Sequence, residues 1–128
     1  MLAKLSHLIN VKSSEFREKI KSIKRSPQWD QVRDDFVRKN PRCFCCGSNK
    51  KLQVHHILPF SNNPELELEE SNLISLCMDK NECHLKIGHG GSFRFYNPSV
   101  VDDAAAYSAA NASQRKLILE NAKKRRLD

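Results

Sequence analysis

An α+β fold is predicted by three features of the chain. Two short runs rich in apolar and β-branched residues, 51–59 and 73–77, can pair as strands, helical periodicity flanks them on both sides, and cysteines occur in two groups around them. At 128 residues the chain has room for one small core with appended helices, and not for two domains.

Taken in order, Leu2, Leu5, Leu8 and Ile9 recur at helical spacing, and Phe16, Ile20 and Ile23 do so again after a cap at Ser13 or Ser14. Residues 1–25 therefore form a basic helical arm. Ser26-Pro27 is a helix start, because serine can bond the free N–H groups and proline tolerates the first helical position. Trp29, Val32, Phe36 and Val37 then share one face, and Asn40-Pro41 ends the helix. The strand at 51–59 leads into a loop carrying Glu65, Glu67, Glu69 and Glu70 before the partner strand. A helix begins near Glu82 and stops at Gly88, Gly90 and Gly91. After Asn97-Pro98, Ser99 and Asp102 form a capping pair for an alanine-rich helix, and 112–126 is a last, basic helix. The organisation is thus an arm at 1–25, a core at 26–98, and helices at 99–128 packed on or extending from it.

The composition, 39% hydrophobic and 29% charged with four Gly and five Pro, excludes collagen-like, low-complexity and wholly disordered classes. No stretch approaches the roughly 20 apolar residues of a bilayer span, and the start lacks the apolar run of a signal peptide. The expected location is the cytoplasm, with no membrane partner. The net charge of +7 is concentrated at the ends. Residues 1–25 carry seven Lys and Arg against Glu15 and Glu18, net +5, and residues 115–128 carry six against Glu120 and Asp128, net +4. Such ends suit arms that grip a polyanion by counterion release, and they equally suit solvated helix faces.

Five cysteines in a reducing compartment favour metal ligation over disulfides. Cys43-x-x-Cys46-Gly47 presents two thiolates from a tight turn, and Cys77 with Cys83 can complete a four-sulfur zinc site. The alternative is a set of reduced thiols packed as small hydrophobes, which two separated groups around a strand pair make the weaker reading. Cys45 is left over, a stand-in for a neighbour or idle, and Cys45→Ser is expected to be nearly silent. Four of the five histidines, His55, His56, His84 and His89, fall within 35 residues. Together they offer nitrogen ligands for a divalent ion and a spare imidazole to take a proton. Adjacent His55 and His56 project to different sides of a strand, so one can hold an ion while the other faces water.

Leu52-Gln-Val-His-His-Ile-Leu-Pro-Phe60, followed by Asn72-Leu-Ile-Ser-Leu-Cys77 and Cys83-His84, resembles the HNH endonuclease family, in its zinc-stapled branch. The resemblance spans roughly 26–98, including the Ser-Pro-x-Trp helix and the Cys-x-x-Cys-Gly turn. It implies a ββα-metal (His-Me finger) core tied at its base by four cysteines. It further implies that His56 is the general base, that His55 and His84 bind the catalytic ion, and that Asn72 orients the base or the finger backbone. His89 matches a further ligand of His-rich relatives. Five residues turn about 140° around an α-helix, so His89 joins only if the helix ends near Gly88.

The implied reaction is one-metal hydrolysis of DNA phosphodiesters, by nicking or double-strand cleavage, to 5′-phosphate and 3′-hydroxyl ends. The implied cofactors are one structural zinc and one catalytic divalent ion. Mn, Co, Ni or Zn suit a nitrogen-rich site, while Mg prefers carboxylates and water. Arg94 is a candidate phosphate clamp or equally a solvated loop arginine, and Lys123, Lys124, Arg125 and Arg126 are candidate backbone contacts. The other function class compatible with these motifs is a zinc-stapled DNA-binding module without independent catalysis, or a nuclease subunit of a larger phage, restriction or defence assembly. The intact His55, His56, Asn72 and His84 set favours the enzyme.

Overall fold

The computed structural model describes residues 24–128. The helical readings on Leu2, Leu5, Leu8, Ile9, Phe16, Ile20 and Ile23, and with them nearly all of the 1–25 arm, lie outside the described residues.

Helix α1 spans Trp29–Lys39, two residues later than Ser26-Pro27 predicts. The serine caps a turn ahead of the helix instead, since its Oγ accepts the Gln28 N–H at 3.1 Å and its carbonyl the Trp29 N–H at 3.0 Å. At the other end the Asn40 N–H and side-chain amide both bond the Phe36 carbonyl, and Pro41 blocks continuation. Only Phe36 is buried. Trp29, Val32 and Val37 stay half-buried because α1 lies across the sheet and not inside a core.

The sheet has two antiparallel strands, β1 at Leu52–His56 and β2 at Leu73–Cys77, with Leu52 opposite Cys77 and His56 opposite Leu73. β1 is shorter than predicted, because after His56 the chain leaves the ladder and is caught by Asn72. The Asn72 Oδ1 accepts the Leu58 N–H at 2.9 Å and its Nδ2 donates to the Leu58 carbonyl at 3.0 Å. Directly opposed residues share a face, so Gln53 and His55 lie with Leu76 and Ile74, while Val54 and His56 lie on the other side.

The helix expected from Glu82 is instead a π turn at His84–Gly88. Its defining bond runs from the His89 N–H to the His84 carbonyl at 3.1 Å, five residues apart. Gly88 allows this turn to lie against the sheet. A Cβ there would sit 3.1 Å from Leu76 Cδ1 and 3.3 Å from the His55 ring.

Helices α2, Val100–Ala109, and α3, Ala112–Arg125, pack on each other and on the π turn. The predicted Ser99–Asp102 capping pair does not form. The Ser99 N–H goes to Asn97 Oδ1 at 2.9 Å, because Asn97 is the buried hub of this corner. Its Nδ2 donates to the Ile87 carbonyl at 3.0 Å and to Asp103 Oδ2 at 2.7 Å, and Arg125 bonds Asp103 Oδ1 at 2.7 Å. The capping box belongs to α3, where Asn111 and Gln114 exchange bonds of 2.9 Å each. Ile74, Leu76, Ile87, Val100, Ala104 and Tyr107 form the core together with Cys43, Cys45, Cys77 and Cys83. No helix among the described residues is long and apolar enough to cross a membrane.

Cys45 is fully buried in that core, which argues against a silent serine substitution. Cys45→Ser puts a smaller, more polar hydroxyl in a buried site beside the Cys83 thiol and is expected to lower the unfolding free energy by about 1–3 kcal/mol, read as a drop in Tm; an unchanged Tm would mean the hydroxyl is fully satisfied there.

Candidate metal centres and catalytic cleft

Two clusters stand on either side of Cys83-His84. In the first, the sulfurs of Cys43, Cys46, Cys77 and Cys83 all lie within 4.8 Å of one another, with Cys46 and Cys77 3.5 Å apart. Zinc–sulfur bonds of about 2.3 Å in a tetrahedron put sulfurs about 3.8 Å apart, so the cluster fits a structural zinc. The turn is shaped for it, since the Cys46 N–H points at Cys43 Sγ at 3.5 Å and Gly47, at φ +79, closes the loop back onto the Cys43 carbonyl. The hydrogen bond with Cys83 and then burial push the Cys43 thiol up to about 12, and burial raises that of Cys77. The Cys83 thiol rises too: its bond with Cys43 opposes the rise, and its bond with Cys45 together with burial outweighs that. A dication must therefore displace protons from these sulfurs, which couples metal affinity to pH.

The second cluster joins β1 to the π turn. The Nε2 atoms of His84 and His89 are 3.1 Å apart, and His84 Nε2 is 3.2 Å from His55 Nδ1. The turn brings this about, because a five-residue step that would carry His89 off the His84 face in an α-helix returns to it in a π turn. His84 Nδ1–H donates to Gln53 Oε1 at 2.6 Å and His89 Nδ1–H to the Phe95 carbonyl at 2.7 Å. These bonds leave both Nε2 atoms as bare lone pairs facing one another. A single proton on His55 can satisfy one of them and not both, and His55 Nε2 is buried without a partner. A cation removes the conflict, and ligands about 2.1 Å from one ion would have this nitrogen spacing. Burial lowers the pKa of all three rings, that of His84 to about 4, with neighbouring imidazoles adding to the shift at His55 and His84. Near neutral pH the rings are therefore uncharged, as ligands must be.

His56 points to the opposite face of β1. It is buried against the Trp29 ring, centroids 4.5 Å apart, and its Nε2–H donates to the Glu67 carbonyl at 3.0 Å. That bond fixes the tautomer and leaves Nδ1 with a free lone pair. Burial lowers its pKa, against the pull of the Glu67 carbonyl. A cleft of about 210 Å³ is walled by His55, His56, His84 and His89 together with Arg25 and Tyr96.

Asn72 does not line this cleft; it holds the backbone that follows His56. Arg94 does not line it either. It is 76% exposed and pairs with Asp128 at 3.5 Å. Of the basic tail, Arg125 is engaged by buried Asp103, and Arg126 donates to the Gly90 carbonyl at 3.0 Å and covers the Phe95 ring, while Lys123 and Lys124 are exposed. Sequence reasoning missed Gln53, which strand alternation from His55 could have flagged, and the Phe95 and Glu67 carbonyls, for which no sequence signal exists.

The strand pair, the π turn and the two clusters define a ββα-metal core. Residues 43–90, which include every cysteine and histidine of the two clusters, match the family model of the HNH endonuclease. Over that span the chain is similar to an HNH domain, which speaks for a nuclease or DNA-binding role using a divalent metal. No curated protein and no solved structure matches the chain.

Two outcomes test the clusters. Cys43→Ser is expected to lose the tightly held zinc and to melt at lower temperature, because structural zinc contributes folding energy directly; equal zinc content in variant and wild type would remove that cluster as its ligand set. Gln53→Ala, which frees the His84 tautomer, is expected to weaken divalent-ion binding at the imidazoles by about 10- to 100-fold in calorimetry while the cysteine-bound zinc stays in place.

Proposed function

We propose that this chain is a metal-dependent endonuclease that hydrolyses DNA phosphodiester bonds to 5′-phosphate and 3′-hydroxyl ends, in the cytoplasm. The observation that carries this reading is the split of His55 and His56 to the two faces of β1. One imidazole joins a three-nitrogen cluster and its neighbour keeps a lone pair at the same cleft.

His55, His84 and His89 would hold the ion, which when bound supplies positive charge to the phosphate and the departing 3′ oxygen. The nitrogen donors favour Mn, Co, Ni or Zn over Mg. His56 takes the proton of the attacking water at Nδ1, a general-base role worth about 10²- to 10⁴-fold. The Glu67 carbonyl orients that ring and steadies the charge it acquires, and Trp29 prevents it from rotating away. Asn72 acts through the backbone, keeping Leu58 and hence the end of β1 in register with β2. Lys123 and Lys124 serve as backbone contacts for the duplex, and Arg125 and Arg126 chiefly hold the tail in place.

The test is plasmid cleavage across a panel of divalent ions with an EDTA control. His56→Ala is expected to cut at least about 100-fold more slowly while retaining wild-type metal content, and the products should be ligated without prior phosphorylation. Near-wild-type cutting by His56→Ala, or loss of its metal, would overturn the assignment of the base.

A further inference from the structure

Arg25 lies in the wall of the cleft that His55, His56, His84 and His89 line. Its guanidinium carbon is 4.5 Å from the centre of the Phe60 ring and 5.2 Å from that of Trp29. Its Nη1 is 3.5 Å from Glu67 Oε2. Glu67 is itself buried, and its second oxygen accepts the Ser26 N–H at 3.0 Å. Two aromatic rings and a buried carboxylate thus fix a guanidinium whose side chain remains 49% exposed. A solvated surface arginine needs no such support. Among the described residues lining the cleft, Arg25 is the only Lys, Arg, Asp or Glu. The contact with Glu67 uses one nitrogen of a group with five N–H donors, leaving others for an anion.

Resting on the nuclease reading, we infer that Arg25 binds a non-bridging phosphate oxygen of the strand held in the cleft, directly beside His56. Glu67 is the positioning residue for both groups. Its carboxylate holds Arg25 and its main-chain carbonyl holds His56, so phosphate and base are referred to a single loop residue. Trp29 serves both in the same way, with His56 and Arg25 against its ring. Arg25 precedes the span that matches the HNH domain and takes the role that the sequence reading gave to Arg94.

The experiment measures binding of a short DNA duplex to the zinc-loaded full-length chain, without added catalytic ion, by fluorescence anisotropy over a range of salt. Arg25→Gln is expected to bind about tenfold more weakly, as for loss of a charge-assisted hydrogen bond. It should also lower the slope of log affinity against log salt by about 0.9, as for one lost phosphate contact. Arg25→Lys should keep the slope but not the full affinity, because the ammonium lacks the stacked planar fork. Wild-type affinity and slope in Arg25→Gln would overturn the inference. If that variant fails to fold, Arg25→Lys carries the test, and full wild-type affinity there overturns the stacked geometry. A wild type that binds duplex through Arg25 yet cuts no DNA with any divalent ion would remove the nuclease reading and leave the phosphate site standing. One that cuts DNA while Arg25→Gln binds and cuts equally well would do the reverse.

Discussion

The hydrogen bond from the His89 N–H to the His84 carbonyl is the constraint on which the rest of this structure turns. It widens one helical turn so that residues five apart face the same way, and both rings then meet His55 on β1. Cys83, one residue before His84, is bound into the sulfur cluster, so the two centres share a backbone and neither can shift alone. The other side of the turn is equally committed. Gly88 lies flat on Leu76 and His55, its carbonyl accepts the Asn97 N–H, and the Ile87 carbonyl accepts the Asn97 side chain.

The C-terminal helices act through that asparagine. Asn97, Asp103 and Arg125 link α2 and α3 to the π turn in one continuous chain of bonds of 2.7–3.0 Å. A buried carboxylate with two donors and a buried amide with its donors and acceptor used is a satisfied network, which rigidifies what it touches. The tail that charge alone leaves open between a cationic grip and a solvated helix face is therefore partly a brace. Arg126 adds to this by bonding the Gly90 carbonyl, next to His89, while the chain end pairs with Tyr96.

On the opposite face of β1 a different logic governs His56. Burial keeps it neutral against the pull of a carbonyl acceptor, and that acceptor and an indole ring fix the ring with Nδ1 unbonded, whereas His55 is packed among imidazoles that are likewise neutral. One strand thus separates an imidazole with an unbonded nitrogen from a cluster of three others by the simple alternation of its side chains. The price is two buried imidazoles side by side in sequence, and each is fixed by contacts from distant parts of the chain.

Much of this was legible from local pattern. The strand at Leu73–Cys77, a partner strand before it, the stop at Asn40-Pro41 and the grouping of Cys43, Cys46, Cys77 and Cys83 depend on neighbours in sequence or on ligand spacing, and these can be read off residues alone. Ser99 misled because a nearby asparagine, free in sequence, is occupied as a buried hub in space. The helix from Glu82 misled because α-helical propensity says nothing about a cysteine pinned at one end and two imidazoles drawn to one point. Gln53 on His84, Glu67 on His56 and Arg25, and Asp103 on Arg125 are pairings across 11 to 42 residues. The sequence by itself determined which side chains are available for metal and proton chemistry and the strands that carry them; only the tertiary structure decided which nitrogen of each ring is bare and which arginine faces the cleft. Those choices follow from carbonyls and aromatic rings that become neighbours only after the chain has folded, and no periodicity encodes them.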